Sequence, residues 1–210
     1  LGELSHSINE MADNLQRLID QQEKAYLQVL QTLAKALEAR DPYTASHSSR
    51  VTRYALKLAK ELELSKEQQE ILKQGALMHD LGKIGIPDAI LNKPSALTDD
   101  EMGIMRDHPS KTAKILSPLS HMKEHAAIAA WHHERWDGKG YPDGLKGEQI
   151  PLLARIVSIA DTWDAMTGDR IYRKGFSYQK AIEILQREKE LGQFDPQLLE
   201  SFIAMIIREL

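Results

Sequence analysis

The chain has 210 residues, which suits one globular domain plus a short appendage. Hydrophobic residues make up 42% and charged residues 28%, and a formal net charge of -4 predicts no binding to a nucleic-acid polymer, so an anionic ligand needs a local basic cluster or a metal. With no cysteine, disulfides and thiolate metal sites are excluded, and any metal must be held by imidazole and carboxylate.

In chain order, residues 1 to about 40 read as one long helix, with no Pro and only Gly2. Leu4, Ile8, Met11, Leu15 and Leu18 follow alternating steps of four and three, continued by Gln22, Ala25 and Val29. That is the heptad seam of a coiled coil, and it predicts a homodimer; the competing reading is an amphipathic helix packed on its own domain. Beyond Tyr26 the apolar face widens through Leu27, Leu30, Leu33 and Leu37, as for burial in a core. We therefore expect a signalling helix over residues 1–25 and a globular domain over 26–210. The start at Leu1 reads as mid-helix, the mark of a piece of something longer, with no signal peptide and no apolar run near the ~18 residues that span a bilayer.

Further helices are predicted at about 44–62, 66–81, 99–106, 109–117, 120–133, 152–167, 177–190 and 196–209. Ser65 and Thr98 read as N-caps with acidic residues in the turn that follows, and Asp195-Pro196 as N-cap plus first-turn proline. Between Trp136 and Pro151, glycines and prolines crowd together (Asp137-Gly138, Gly140, Pro142, Asp143-Gly144, Gly147), which predicts a loop or small hairpin. No run reads as a sheet strand. The fold class is all-α.

The chemistry concentrates in His79-Asp80 and His132-His133, each ending an apolar helical run, with His47 and His108 near helix starts and Asp161 after Ile156-Val157-Ser158-Ile159-Ala160. Neighbouring helical residues point about 100° apart, so an adjacent pair addresses two metals side by side more readily than one. A carboxylate such as Asp80 has two oxygens with which to bridge them. From spacing alone, a metal site and a set of structural histidines both remain open.

The segment His79-Asp80-Leu81-Gly82-Lys83-Ile84-Gly85-Ile86-Pro87 resembles the HD motif of the HD-GYP phosphodiesterases, and Gly140-Tyr141-Pro142 resembles their GYP motif. The likeness runs through His132-His133-Glu134-Arg135-Trp136-Asp137-Gly138-Lys139, Asp161-Thr162-Trp163-Asp164-Ala165-Met166-Thr167 and Asp169-Arg170-Ile171-Tyr172-Arg173, and it covers the chain from about Tyr26 onward. The resemblance implies an HD-type helical domain that hydrolyses cyclic di-GMP to linear pGpG, with further cutting to GMP in some members. It implies the metal ligands His47, His79, Asp80, His108, His132, His133 and Asp161, Asp80 being the bridge. Two divalent ions are expected, iron or manganese first, zinc or nickel as alternatives. It places Lys83 on a substrate phosphate, with Asp80 and Lys83 the catalytic pair, Arg170 and Arg173 on the substrate, and Tyr141 shaping the pocket or meeting a diguanylate-cyclase-type partner. Some members carry Glu where this chain has Tyr43, and those hold a third metal. A phenol with a pKa near ~10 is a poor ligand, so a third metal is not expected. Thr112 stands where a glycine is common, which reads as a packing change.

The first residues, Leu1 to Leu15, resemble the end of a HAMP signalling domain, which implies the cytoplasmic output of an inner-membrane receptor. The alternative is a catalytically weak module that binds a cyclic dinucleotide or a partner protein. His121-Met122-Lys123-Glu124-His125 spells a zinc-peptidase-like string, H-x-x-E-H, without a partner ligand, and reads as a solvated helix face. Trp131 and Trp136 read as core packing, with stacking on a guanine base as the alternative.

Overall fold

Ser65 and Thr98 cap helices as their side chains dictate: each hydroxyl accepts from the amide three residues on, and Gln68 and Glu101 reach back to the cap amide. Asp195 accepts from the amides of Gln197 and Leu198, with Pro196 in the first turn. The structure is a computed structural model that describes residues 2–40, 46–169 and 174–209. Among the described residues the α-helices are α1 (Gly2–Arg40), α2 (His47–Glu61), α3 (Lys66–Met78), α4 (Asp88–Leu91), α5 (Asp99–Met105), α6 (His108–Leu116), α7 (Lys123–Trp131), α8 (Leu152–Thr167), α9 (Tyr178–Glu190) and α10 (Pro196–Ile207). No strand occurs among the described residues, so the fold is all-α, and the segment after Trp136 is a loop with one short 3-10 turn at Gly147–Gln149.

Two departures from the expected elements matter for the site. The helix expected over 66–81 ends at Met78 and tightens into a 3-10 turn, Leu81–Gly85. The cause is a close crossing with α6: a Cβ on Gly82 would lie 2.1 Å from the His108 carbonyl oxygen and 2.6 Å from the Thr112 amide nitrogen. Thr112 is more than a packing change. Its buried hydroxyl accepts from the Gly82 amide at 2.7 Å and lies 3.1 Å from the carbonyl of His79 and 3.0 Å from that of His108. One hydroxyl therefore ties together the two turns that carry His79 and His108. The short α4 is absent from the expected elements; it belongs to a small apolar cluster of Ile86, Ile90 and Leu91.

Two larger cores flank the site. One joins α2, α3, α8, α9 and α10 around Leu58, Leu72, Ile159 and Phe202, with Trp163 edge-on to Tyr54 and Phe202 at ring-centroid distances of 6.2 and 5.6 Å. The other joins the second half of α1 to α7 and the end of α3, through Leu30, Ala34, Met78, Leu81, Leu116, Met122 and Ala129. Widening of the apolar face beyond Tyr26 thus corresponds to burial against this second core. Two residues of that face depart from this: Leu33 is 43% exposed, and Leu37 is buried outside that cluster. Glu38 of α1 also accepts from the Ser48 amide at 2.7 Å, satisfying an N-terminal donor of α2 from another helix. No helix among the described residues is long and apolar enough to cross a membrane.

Candidate metal centre

Three helix ends deliver histidines by one local device. Nδ1 of His79, His108 and His132 each lies 2.7–2.8 Å from the carbonyl oxygen three residues earlier, of Ala76, Met105 and Ala129 respectively. Those carbonyls are among the last of a helix or turn, which lack intrahelical donors. A ring that donates from Nδ1 presents a lone pair at Nε2. All three Nε2 atoms are buried and have no hydrogen-bond partner.

These lone pairs meet other acceptors. His108 Nε2 is 3.1 Å from Asp80 Oδ1, while His79 Nε2 is 3.5 Å from Asp80 Oδ2 and His47 Nε2 is 4.0 Å from it. His47 Nε2 also lies 3.2 Å from Asp161 Oδ1. Three overlapping groups hold their ligand atoms within 4.8 Å of one another: His47, His79 and Asp80; His79, His132 and Asp161; His108, His132 and His133. Together they contain every one of the seven residues that the family resemblance nominates. Asp80 addresses the first group with one oxygen and His108, of the third, with the other. Such a convergence of acceptors is stable only around positive charge, so the donor set fits divalent cations of the nitrogen- and oxygen-preferring kind.

Titration reflects the same crowding. Burial alone would lower the His47 imidazole, but Asp161 and Asp164, with Asp80 behind them, outweigh it and hold it up at about 10. Burial pushes His133 down to about 4 and His132 well below the usual imidazole range, leaving both neutral and able to bind a cation. Burial would raise Asp80, yet Lys83, His79 and His108 prevail and keep it ionised.

Lys83 sits one turn on from Asp80, with Nζ 2.6 Å from its Oδ2. Tyr141 stacks on the His133 ring at 4.9 Å between centroids, and the Arg106 guanidinium lies over the Tyr141 ring, 5.6 Å from its centroid. The loop carrying Tyr141 is held close to its helix. Glu134 accepts from the amides of Asp143 and Gly144 at 2.8 and 3.0 Å, and a Cβ on Gly140 would come within 2.4 Å of the Arg135 amide nitrogen. Arg170, Arg173 and Tyr43 lie outside the described residues.

Asp164 and Arg50, to which the sequence pattern assigns no role, also belong to the site. Asp164 Oδ2 is 2.8 Å from His47 Nδ1, and Arg50 Nε donates to Asp164 Oδ1 at 2.6 Å. Their spacing is a usable signal: each stands three residues after a nominated ligand, on the same helix face. Arg106 escapes the sequence reading as well, and no helical period marks it.

Two expectations need correction. Trp131 is only partly buried and donates from Nε1 to Asp143 at 2.8 Å, while Trp136 lies under the Arg155 guanidinium at 5.5 Å; both brace the loop rather than fill a core. In the H-x-x-E-H string, His121 does meet solvent, 3.3 Å from Glu23, but His125 is buried at 6% exposure with neither ring nitrogen hydrogen-bonded. Burial, with His121 adding, lowers its pKa to about 4. Between about 4 and 6.5 the unfolded chain binds a proton there that the folded chain refuses, so His125 costs stability as pH falls. His125→Leu is therefore expected to gain about 1–2 kcal/mol at pH 5 relative to its effect at pH 7.5, read by urea denaturation. An equal offset at both pH values would refute this.

The profile of the HD-domain family matches residues 31–198. Over 97% of its length the chain is 40% identical to the cyclic di-GMP phosphodiesterase response regulator RpfG of Xanthomonas campestris, of which it covers 55%. Over 77% of its length it is 40% identical to the 3'3'-cGAMP-specific phosphodiesterase 3 of Vibrio cholerae, of which it covers 35%. The chain thus spans about half or less of the length of these relatives. Among solved structures, Bd1817, an HD-GYP-type protein of Bdellovibrio bacteriovorus, superposes with a TM-score of 0.65 over 79% of this chain and 53% of that one, at 24% identity.

Proposed function

This chain belongs to the HD-domain family, in its HD-GYP branch, and from that premise we propose that it is a metal-dependent phosphodiesterase that opens cyclic di-GMP to linear pGpG. The observation that carries the reading is the set of buried, unpartnered Nε2 atoms converging with the oxygens of Asp80 and Asp161. His47, His79, Asp80, His108, His132, His133 and Asp161 would hold two divalent ions, with Asp80 shared between them. Iron or manganese suits these imidazole and carboxylate donors, with zinc or nickel as substitutes. When bound, such a pair supplies an activated water and positive charge for the phosphoryl oxygens of an in-line displacement.

The chain's own groups do the rest. Lys83 supplies a cation at the edge of the cluster for a substrate phosphoryl oxygen. Tyr141, fixed on His133, forms one wall, and Arg170 and Arg173 are assigned to the substrate's remaining charge. Tyr43 in place of a carboxylate argues for two ions rather than three, and so for a reaction that stops at pGpG. The Gly140-Tyr141-Pro142 loop is also a surface for a diguanylate-cyclase-type partner.

The test incubates manganese-loaded protein with cyclic di-GMP and, in parallel, with 3'3'-cGAMP, because relatives carry both names. Accumulation of pGpG is expected; appearance of GMP would count against the two-ion assignment. Binding of the dinucleotide without product would favour the catalytically weak sensor instead.

We further assign residues 1–25 to the end of a HAMP domain and its coiled coil, with 26–210 as the catalytic domain of a cytoplasmic, membrane-tethered receptor output. In support, Leu4, Ile8, Met11, Leu15 and Leu18 are each at least half exposed along one face of α1. A two-stranded parallel coil would cover that face. Leu15→Asp is expected to shift the chain from dimer to monomer in sedimentation; an unchanged dimer would remove the seam.

A further inference from the structure

His79, His108 and His132 each take their orientation from a carbonyl one turn back on their own segment. His47, the first residue of α2, takes its orientation from another helix. Its Nδ1 turns instead to Asp164 of α8, 2.8 Å away, while its Nε2 faces Asp161, 3.2 Å away on the same helix. Asp164 is in turn gripped by Arg50, whose Nε donates to Oδ1 at 2.6 Å and whose Nη2 donates to Oδ2 at 2.9 Å. The arrangement is a two-helix lock: His47 and Arg50, one turn apart on α2, hold a carboxylate one turn below Asp161 on α8. Asp164 is 3% exposed, so no solvent competes for it, and the backbone closes tightly over the pair. A Cβ on Gly168 would meet the Asp164 carbonyl at 2.9 Å and Arg50 Nη2 at 3.3 Å.

We propose that Asp164, fixed by Arg50, is a positioning residue that keeps the proton of His47 on Nδ1 and thereby dedicates Nε2 to one metal ion. The proposal rests on the phosphodiesterase reading and adds an outer partner to its metal centre. Ligating imidazoles usually carry such a partner on the second ring nitrogen, and its loss typically weakens metal binding about 10–100-fold. Arg50 makes the choice of proton one-sided. Its two N–H groups demand acceptors, so the amide of D164N must give its oxygen to Arg50 Nε and turn its NH2 toward His47. The imidazole then accepts at Nδ1 and carries its proton on Nε2, where it blocks the metal.

Equilibrium dialysis against Mn2+ is expected to show two ions on the wild-type chain, and D164N is expected to bind one of them about 10–100-fold more weakly while keeping the other. R50K, which keeps the charge but loses the fork, should weaken the same ion by less. In the zinc-loaded wild type, 15N NMR of the imidazoles should show His47 protonated at Nδ1 and metal-bound at Nε2, a signature that a purely structural role for Asp164 does not require. Should D164N fail to fold, that spectrum decides alone. Metal bound at Nδ1 of His47, or two ions on D164N with wild-type affinity, would overturn the proposal and leave the phosphodiesterase reading standing. A wild-type chain that takes up neither metal would overturn both.

Discussion

Asp80→Ala is expected to lose bound metal and dinucleotide hydrolysis together. Loss of an outer partner of a metal ligand costs about 10–100-fold, so removing the one side chain that meets both sides of the histidine cluster should cost about 10³-fold or more. The reason is geometric. One Asp80 oxygen lies 3.1 Å from His108 Nε2 and the other 3.5 Å from His79 Nε2. Among the described residues no second carboxylate bridges these two histidines. Asp161 lies with His79 and His132 and approaches His47, not His108. Elemental analysis of anaerobically purified variant, beside the product assay, reads both losses. A variant that retained two ions, or that turned over within tenfold of wild type, would show that Asp80 is not the bridge.

Gly82→Ala should be among the most disruptive changes that add a single methyl group. The new Cβ would stand 2.1 Å from the His108 carbonyl oxygen, and the obstacle is backbone on both sides, since the Thr112 amide nitrogen is 2.6 Å away. Overpacking of a tight contact costs about 1–3 kcal/mol and more where the neighbour cannot rotate away, so about 3 kcal/mol is expected here. In a chain of 210 residues that is a fall in melting temperature of roughly 6–12 °C. Because the displaced carbonyl belongs to His108, metal affinity should fall as well. Calorimetry of the metal-free protein separates the packing loss from the metal loss. A melting point within about 2 °C of wild type would mean that the crossing of the 3-10 turn and α6 is looser than it stands here.

Part of this architecture is written locally along the chain. The caps Ser65, Thr98 and Asp195 are legible because an N-cap is decided within four residues, by one side chain and the amides next to it. The helix at 152–167 is legible to the residue because proline opens it and glycine closes it. The end of α3 is not, because what tightens it into a 3-10 turn is a second helix, some thirty residues away, crossing at Gly82. The seven nominated histidines and aspartates come from resemblance to a known family; spacing alone leaves the choice open.

His125 and Trp131 show the limit from the other side. The string His121-Met122-Lys123-Glu124-His125 is polar, and only the packing of α7 against its neighbours buries one histidine while leaving the other wet. Trp131 is apolar by type, but it works as a hydrogen-bond donor to a loop residue twelve positions on.

By itself, the amino-acid order determined an all-helical chain, its caps, a heptad-spaced apolar stripe on the first helix, and a supply of imidazole and carboxylate without thiol. Those are local properties, fixed by side chains acting within a turn or two. Only the tertiary structure decided which lone pairs face one another, that Asp80 spans two groups of histidines, and that His47 answers to Asp164 and Arg50. Such facts depend on angstrom-scale distances between segments that lie 28 to 117 residues apart along the chain, and helical periodicity carries no information about them.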